Sequence, residues 1–242
     1  MRKFKIFLVT VSTLIFISFM VAIHSKDIAN KIFTYIANQN LISYSSISGT
    51  ISSGITITNI NYDNKLKIEN LYIKPSLLSL LAFEVYLYDL RLNGIEFDNS
   101  LLEPSDIKID IPITLYIKSL TATLKNHQYE QYTIKDMQLI GKELRYNFKD
   151  YFSAKLNLML SSNIGELNGQ FKINNTDYLA NGEIKPDLDF INSLSQTKFS
   201  TVSPINITLK GNLNQFDFKA NSSDLSLNHE KKIGRASCRE RV

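Results

Sequence analysis

The chain has 242 residues, 44% of them hydrophobic, and a formal net charge of +4. Leaving out the first five residues and the last ten leaves 21 Lys and Arg against 22 Asp and Glu, so the body of the chain is nearly neutral. This excludes the basic footprint of a nucleic-acid-binding protein, and the apolar content excludes a disordered chain.

The first element is an uncharged run of eighteen residues from Ile6 to Ile23, preceded by Arg2, Lys3 and Lys5. As a helix it would measure about 27 Å, close to the hydrocarbon core of a bilayer. It ends without a small-x-small cleavage site, which favours an uncleaved signal anchor over residues 1–26 against the alternative, a cleaved signal peptide. The positive-inside rule then places the N-terminus in the cytoplasm and the rest across the membrane. The predicted anchor side chains are Ile6, Leu8, Leu14, Phe16, Phe19 and Ile23.

An amphipathic helix is predicted over residues 27–41, with Asp27 as a candidate cap. Its apolar positions Ile28, Ile32, Phe33 and Ile36 recur at helical spacing. Such a stripe either plugs the first end of the following domain or lies on the bilayer surface. The sequence leaves both open.

Residues 42–232 alternate apolar and polar side chains in short stretches, which is typical of strands with one apolar face. The clearest stretch runs from Ile107 to Ile117. Others begin at Ile55, Leu66, Lys155, Ile205 and Phe216. Turn signals between the stretches include Asn93-Gly94, Asn126-His127 and Asn181-Gly182, and this tight spacing predicts antiparallel meanders. One short helix is predicted from Pro75 to Leu81.

The last ten residues, Ile233–Val242, differ from the rest, because they lack alternation and contain three Arg. They resemble the in-frame translation of a common sequencing adapter, which predicts that the native protein continues past residue 232. The alternative is a genuine basic tail. If the tail is foreign, its Cys238, the only cysteine, carries no function, and the native segment has no thiol chemistry.

No pattern predicts an enzyme, a metal site or a bound cofactor. His24, His127 and His229 are far apart in sequence, and His127 falls in a predicted turn. The pairs Asp106/Asp110 and Asp187/Asp189 would each share one side of a strand, where solvated strand faces explain them more simply than acid–base chemistry.

A resemblance to a known family rests on the order of three stretches behind the anchor. They are Gly49–Tyr62, opening with two glycines; Leu66–Leu78, with Pro75 before two leucines; and Leu87–Phe97, containing Leu90 and Gly94. Together with Ile111–Leu120, they resemble the amino-terminal region of TamB and its AsmA-like, bridge-like lipid-transfer relatives. The resemblance covers most of residues 1–125.

The resemblance implies an elongated, curved sheet, open like a taco, whose concave apolar face forms a groove across the bacterial periplasm. It implies anchoring in the inner membrane, phospholipid as cargo toward the outer membrane, and support of outer-membrane protein assembly with a barrel partner of the TamA type. The candidate groove lining is Ile55, Ile57, Leu66, Ile68, Ile107, Ile109, Ile111, Ile113, Leu115, Ile117, Leu156, Leu158, Leu160, Ile205, Ile207 and Leu209. The alternative function is an anchored structural or adhesive scaffold with a closed core and no lipid transport.

Overall fold

The computed structural model describes residues 21–39, 42–76, 79, 84–102, 114–129, 132–147, 151–194, 203–212, 215–222 and 226–232. Within them lie thirteen strands, two α-helices and a short 3-10 helix, Asn99–Leu102. The helices are α1 (Lys26–Gln39) and α2 (Leu188–Leu194). The strands are β1 (Ile42–Ser43), β2 (Ser46–Thr50), β3 (Gly54–Tyr62), β4 (Leu66–Pro75), β5 (Val85–Phe97), β6 (Leu115–Tyr129), β7 (Tyr132–Asn147), β8 (Tyr151–Ser162), β9 (Gly165–Asn174), β10 (Asp177–Pro186), β11 (Ile205–Gly211), β12 (Gln215–Asn221) and β13 (Ser226–Lys232).

All thirteen strands belong to one long, open, curved sheet, so the prediction of a mainly β chain is confirmed. From β3 onward the strands lie side by side in sequence order, and β1 and β2 both pair with the free edge of β3. Among the described strands this edge does not pair with β13 at the other end. For most of its length the sheet has no second layer among the described elements.

One strand pair departs from the predicted antiparallel arrangement. β5 and β6 are parallel, with Val85 opposite Leu115 and Leu92 opposite Ala122. A parallel pair requires the chain to return from one end of β5 to the other, and residues 98–114 make this connection. The last three residues of the predicted strand from Ile107 to Ile117 begin β6. Its earlier positions Ile107, Ile109, Ile111 and Ile113 lie outside the described residues.

Three predicted turns are wrong because Asn and Gly also occur inside strands. Asn93-Gly94 lies in β5, Asn126-His127 in β6 and Asn181-Gly182 in β10. Gly94 and Asn126 have φ angles of 64° and 51°, in the left-handed region that Gly and Asn tolerate. Their strands continue past the irregularity instead of reversing.

These irregularities change the spacing of apolar residues along the strands. Left-handed residues interrupt β3 at Asn59 and β7 at Glu143, and register shifts occur in β4, β5 and β7. At such positions buried residues are three positions apart in the sequence instead of two, as Ile57 and Ile60 are. Bulges of this kind bend a strand and increase its twist, which is how an open sheet becomes curved.

Helix α1 confirms the predicted amphipathic helix and packs against the first end of the sheet. Ser25, not Asp27, precedes its first turn, with the Ile28 amide 3.4 Å from Ser25 Oγ. Beneath the helix lies the main buried cluster of the described residues, Ile47, Ile57, Ile60 and Ile68, against which Phe33 packs. The helix thus covers the sheet where the strands begin.

Other predictions concern parts of the chain outside the described residues. Positions 1–20 of the proposed anchor and the tail 233–242 belong there, as does most of the predicted helix after Pro75, which itself ends β4. Among the described residues, no helix is long and apolar enough to cross a membrane.

Candidate functional site

The candidate site is one face of the sheet, on which three rows of apolar residues run from strand to strand. We call these rows together the apolar face. Each residue lies directly opposite the next one across a strand pair. Row one is Ile55, Ile73, Leu90, Leu120, Gly141, Leu156, Phe171, Ala180, Leu209 and Phe218; row two is Ile57, Leu71, Leu92, Ala122, Leu139, Leu158, Gly169, Gly182, Ile207 and Ala220; row three is Ile60, Ile68, Ile95, Leu124, Met137, Leu160, Leu167, Ile184 and Ile205.

No charged or hydrogen-bonding side chain interrupts these rows. Rows one and two cross the ten strands from β3 to β12, and at about 4.8 Å per strand this is a distance of about 43 Å. Continuity over ten strands requires every register to match, including the parallel pair and the irregular strands. The irregularities in β3 to β7 therefore keep apolar residues on one face where strict alternation would have lost them.

Glycines leave gaps in the apolar face that neighbouring side chains cover. A Cβ added to Gly141 would lie 2.7 Å from Leu144 Cδ1 and 3.2 Å from Leu156 Cδ2. A Cβ added to Gly169 would lie 3.2 Å from the Phe171 ring. Large apolar side chains thus fold over the glycines, and the surface remains apolar at these positions.

The opposite face is polar and charged, with ion pairs between and along the strands. Lys155 Nζ lies 2.6 Å from Glu143 Oε2, and Lys185 Nζ lies 3.2 Å from Glu183 Oε1. The hydrogen bond from Lys155, and then its positive charge, hold the pKa of Glu143 below the ordinary range. Met159 also lies on this face, with 41% of its surface exposed. The sheet therefore has two chemically distinct sides.

Burial of the apolar face changes along the sheet. At the first end, Ile57 is 1% exposed under the cluster that α1 covers. In β8 to β12, the buried hydrophobic residues among those described are two alanines, Ala154 and Ala180. The large residues of these strands, such as Leu158, are partly exposed. The first end thus has a conventional core, whereas the far strands lack a second layer within the described residues.

The structure brings nine predicted lining residues into the three rows. They are Ile55, Ile57, Ile68, Leu156, Leu158, Leu160, Ile205, Ile207 and Leu209. Two of these, Ile57 and Ile68, are buried in the core cluster and are not exposed lining. Leu66 packs against that cluster beside row three. Leu115 and Ile117 lie beyond row one, at the margin away from row three. Ile117 is 7% exposed there.

Sequence analysis missed the row residues of the irregular strands, among them Leu71, Leu92, Leu124 and Met137. In these strands the apolar period changes from two to three within one strand, so a search for strict alternation stops there. An Asn or Gly between two apolar residues three apart, as Asn59 is between Ile57 and Ile60, is the signal that could have found them.

Of the predicted anchor residues, Ile23 is the one that lies within the described part of the chain. It is 4% exposed, and its carbonyl accepts a hydrogen bond of 3.1 Å from the Ser52 amide. Ile23 therefore packs against the turn between β2 and β3. The contact ties the end of the apolar run directly to the sheet.

The edge of the apolar face beside row three contains a buried imidazole. His127 is 9% exposed and stacks on Phe97, with ring centroids 4.1 Å apart. Within the described structure its Nε2 atom has no hydrogen-bond partner. Buried polar atoms are usually paired, so an unpartnered nitrogen at this margin is unusual.

Two of the carboxylates that sequence analysis considered, Asp187 and Asp189, lie at the start of a helix and not on a strand face. Asp187 lies at the start of α2, where its Oδ1 accepts a hydrogen bond of 2.9 Å from the Phe190 amide, and Asp189 lies in the first turn of that helix. Capping explains Asp187. Asp106 and Asp110 lie outside the described residues.

Comparison of the chain with protein-family models, with curated proteins and with solved structures finds no match.

Proposed function

We propose that this chain belongs to a membrane-anchored lipid-transfer protein, and that its apolar face is a groove for phospholipid acyl chains. The observation that supports the proposal most directly is the continuity of the apolar rows, two of them across ten strands and the third across nine. A protein that is alone in water rarely exposes so large an apolar surface. Acyl chains supply the missing second layer.

The physical mechanism is burial without fixed recognition. Each methylene that leaves water for the groove gains about 0.8 kcal/mol. Because the rows repeat the same aliphatic chemistry on every strand, moving a chain by one strand replaces each contact with an equivalent one. The acyl chains are held firmly as a whole and slide along the rows at little net cost.

The proposed setting is the bacterial inner membrane, with a cytoplasmic N-terminus and the sheet in the periplasm. The cationic start of the chain and the uncharged run from Ile6 to Ile23 support it. The ordered resemblance to TamB and its AsmA-like relatives supports transport toward the outer membrane. It also supports a role in outer-membrane protein assembly with a TamA-type partner.

A charge placed in the middle of the far strands tests the proposal. In Leu158→Glu, a carboxylate replaces a leucine of row two, whereas Met159→Glu places it on the opposite face of the same strand. The full chain is reconstituted in liposomes that contain fluorescent phospholipid, and lipid transfer to acceptor vesicles is measured. We expect Leu158→Glu to lower the transfer rate at least tenfold, with unchanged circular dichroism, and Met159→Glu to have little effect.

The same pair of variants separates the alternative function, an anchored scaffold with a closed core. In a closed core the carboxylate at position 158 would be buried without a partner, so Leu158→Glu would unfold the sheet. Unfolding of Leu158→Glu, or transfer by it at the original rate, would contradict the lipid groove.

A further inference from the structure

Helix α1 has two apolar stripes with different surroundings. The inner stripe is Ala29, Phe33 and Ala37, in which both alanines are 2% exposed and Phe33 packs against the core cluster. The outer stripe is Ile32, Tyr35 and Ile36, which are 48%, 69% and 44% exposed. One stripe is sufficient to attach a helix to a sheet, so the outer stripe requires a separate explanation.

Contacts on the inner side fix the rotation of the helix. The rings of Phe33 and Tyr44 meet edge to face with centroids 5.1 Å apart, and Thr34 Oγ1 lies 2.7 Å from the Tyr44 hydroxyl. The Ser52 amide holds the chain just before the helix through the Ile23 carbonyl. The outer stripe therefore cannot turn toward the sheet without breaking these contacts.

The position of the apolar run identifies what covers the outer stripe. The run from Ile6 to Ile23 ends three residues before α1 begins, and Val21 within it is 63% exposed. Three residues reach at most about 10 Å, so a bilayer that contains this run lies close to the start of the helix. Tyr35 is a residue type favoured at the membrane interface, and Lys31, one helical turn before it, is exposed and suits anionic headgroups.

We propose that α1 lies on the outer surface of the phospholipid bilayer, with Ile32, Tyr35 and Ile36 inserted at the headgroup boundary. This inference rests on the proposed anchor. The helix then has two partners at once, the sheet through its inner stripe and the membrane through its outer stripe. Because the inner stripe is attached to β1 and β2, the start of the apolar face is held beside the lipid surface, where acyl chains would leave the bilayer.

Single fluorescent labels on the full chain test this inference. Cys238 is replaced by Ser, and an environment-sensitive probe is attached to Ile32→Cys, to Asn30→Cys or to Phe16→Cys. Asn30 is the matched control, because it is exposed on the same helix but away from the outer stripe. Phe16 reports on the anchor itself. Each protein is reconstituted in liposomes of phosphatidylethanolamine and phosphatidylglycerol, and quenching by spin-labelled lipid is compared with quenching by aqueous iodide.

We expect lipid quenching at position 32 to exceed that at position 30 at least threefold, with iodide showing the reverse order, and position 16 to be quenched by lipid alone. Lipid quenching at 16 but aqueous quenching at 32 overturns the inference and leaves the anchor standing. Protection of position 32 from both quenchers indicates a second protein copy and also overturns it. Aqueous quenching at 16 rejects the anchor, and this inference with it.

Discussion

The two ends of this sheet carry the same rows of apolar residues, but these residues have different environments. At the first end, α1 packs against β1 and β2, its Phe33 packs on the core cluster, and Ile57 in that cluster is 1% exposed. In the far strands β8 to β12, no described element covers the face, and Leu158 in the same row is partly exposed. A row of aliphatic residues therefore specifies which side of a strand avoids water, but a separate element determines what that side meets.

The difference predicts unequal costs for truncating two residues of row two. Ile57→Ala removes well-packed atoms from a buried cluster, which should lower the free energy of unfolding by about 2–5 kcal/mol. Leu158→Ala should lower it by less than half as much in lipid-free protein, because the site is already partly exposed. Urea unfolding followed by circular dichroism measures both. Equal losses would mean that the far strands are as well covered as the first end.

Two glycines sharpen the comparison through the backbone. Gly49 has a φ of 89°, and a Cβ there would clash with the Gly54 carbonyl oxygen. Gly49→Ala should therefore cost about 1–3 kcal/mol near the end of β2, just before the turn to β3. A Cβ on Gly169, in the far strands, would meet only the movable edge of the Phe171 ring within 3.4 Å. Gly169→Ala should cost less than about 1 kcal/mol by the range for mild overpacking.

The thermal unfolding midpoints of both variants, measured in the same buffer, check the glycine prediction. A larger loss of stability for Gly169→Ala than for Gly49→Ala would show that the far strands tolerate less change than the end of β2. That result would contradict an open face with room for its side chains to move.

The smallest expected effect concerns the charged face, which is exposed to water in both regions. Lys155→Gln removes the hydrogen bond to Glu143, so the pKa of Glu143 should rise toward its ordinary value of about 4.3. Because the folded-state pKa is lowered, the stabilisation from this pair is present above that ordinary value and is lost as the pH falls through the folded-state pKa. At neutral pH, stability should hardly change, since both side chains are at least half exposed.

Carboxyl NMR titration of Glu143 measures this effect directly. Lys172→Gln is the control, since it removes a charge opposite Lys155 on the next strand without removing the hydrogen bond. An equal rise of the Glu143 pKa in both variants would show that the general field of the lysines, not the contact with Lys155, lowers it.

The regular strands could be predicted from sequence, and the irregular ones could not. Ile205, Ile207 and Leu209 alternate strictly, and β11 contains them as expected. In β5 and β6, left-handed Gly94 and Asn126 resemble turn residues, because a bulge and a turn need the same backbone conformation. Only the partner strand distinguishes the two, and that information is not local.

The parallel pair was also beyond local prediction. The alternation in β5 and β6 does not encode the direction of pairing, since apolar residues align in either direction.

For a related reason, the sequence could not predict which apolar residues of α1 pack against the sheet. Ile32 and Phe33 are adjacent apolar residues of α1, yet Phe33 packs on the cluster and Ile32 is 48% exposed. Which of them meets the sheet depends on the contact between Phe33 and Tyr44, a residue outside the helix.

The central claim is that lipid covers the apolar face of the far strands, and site-specific photo-crosslinking in living cells tests it most directly. Photoreactive residues replace Leu158, Phe171 and Leu209 in the rows, and Met159, Lys172 and Lys210 beside them on the opposite face. We predict phospholipid adducts, identified by mass spectrometry, at the three row positions and not at the three neighbours. Adducts only to polypeptide at the row positions, or equal lipid capture on both faces, would contradict the lipid groove.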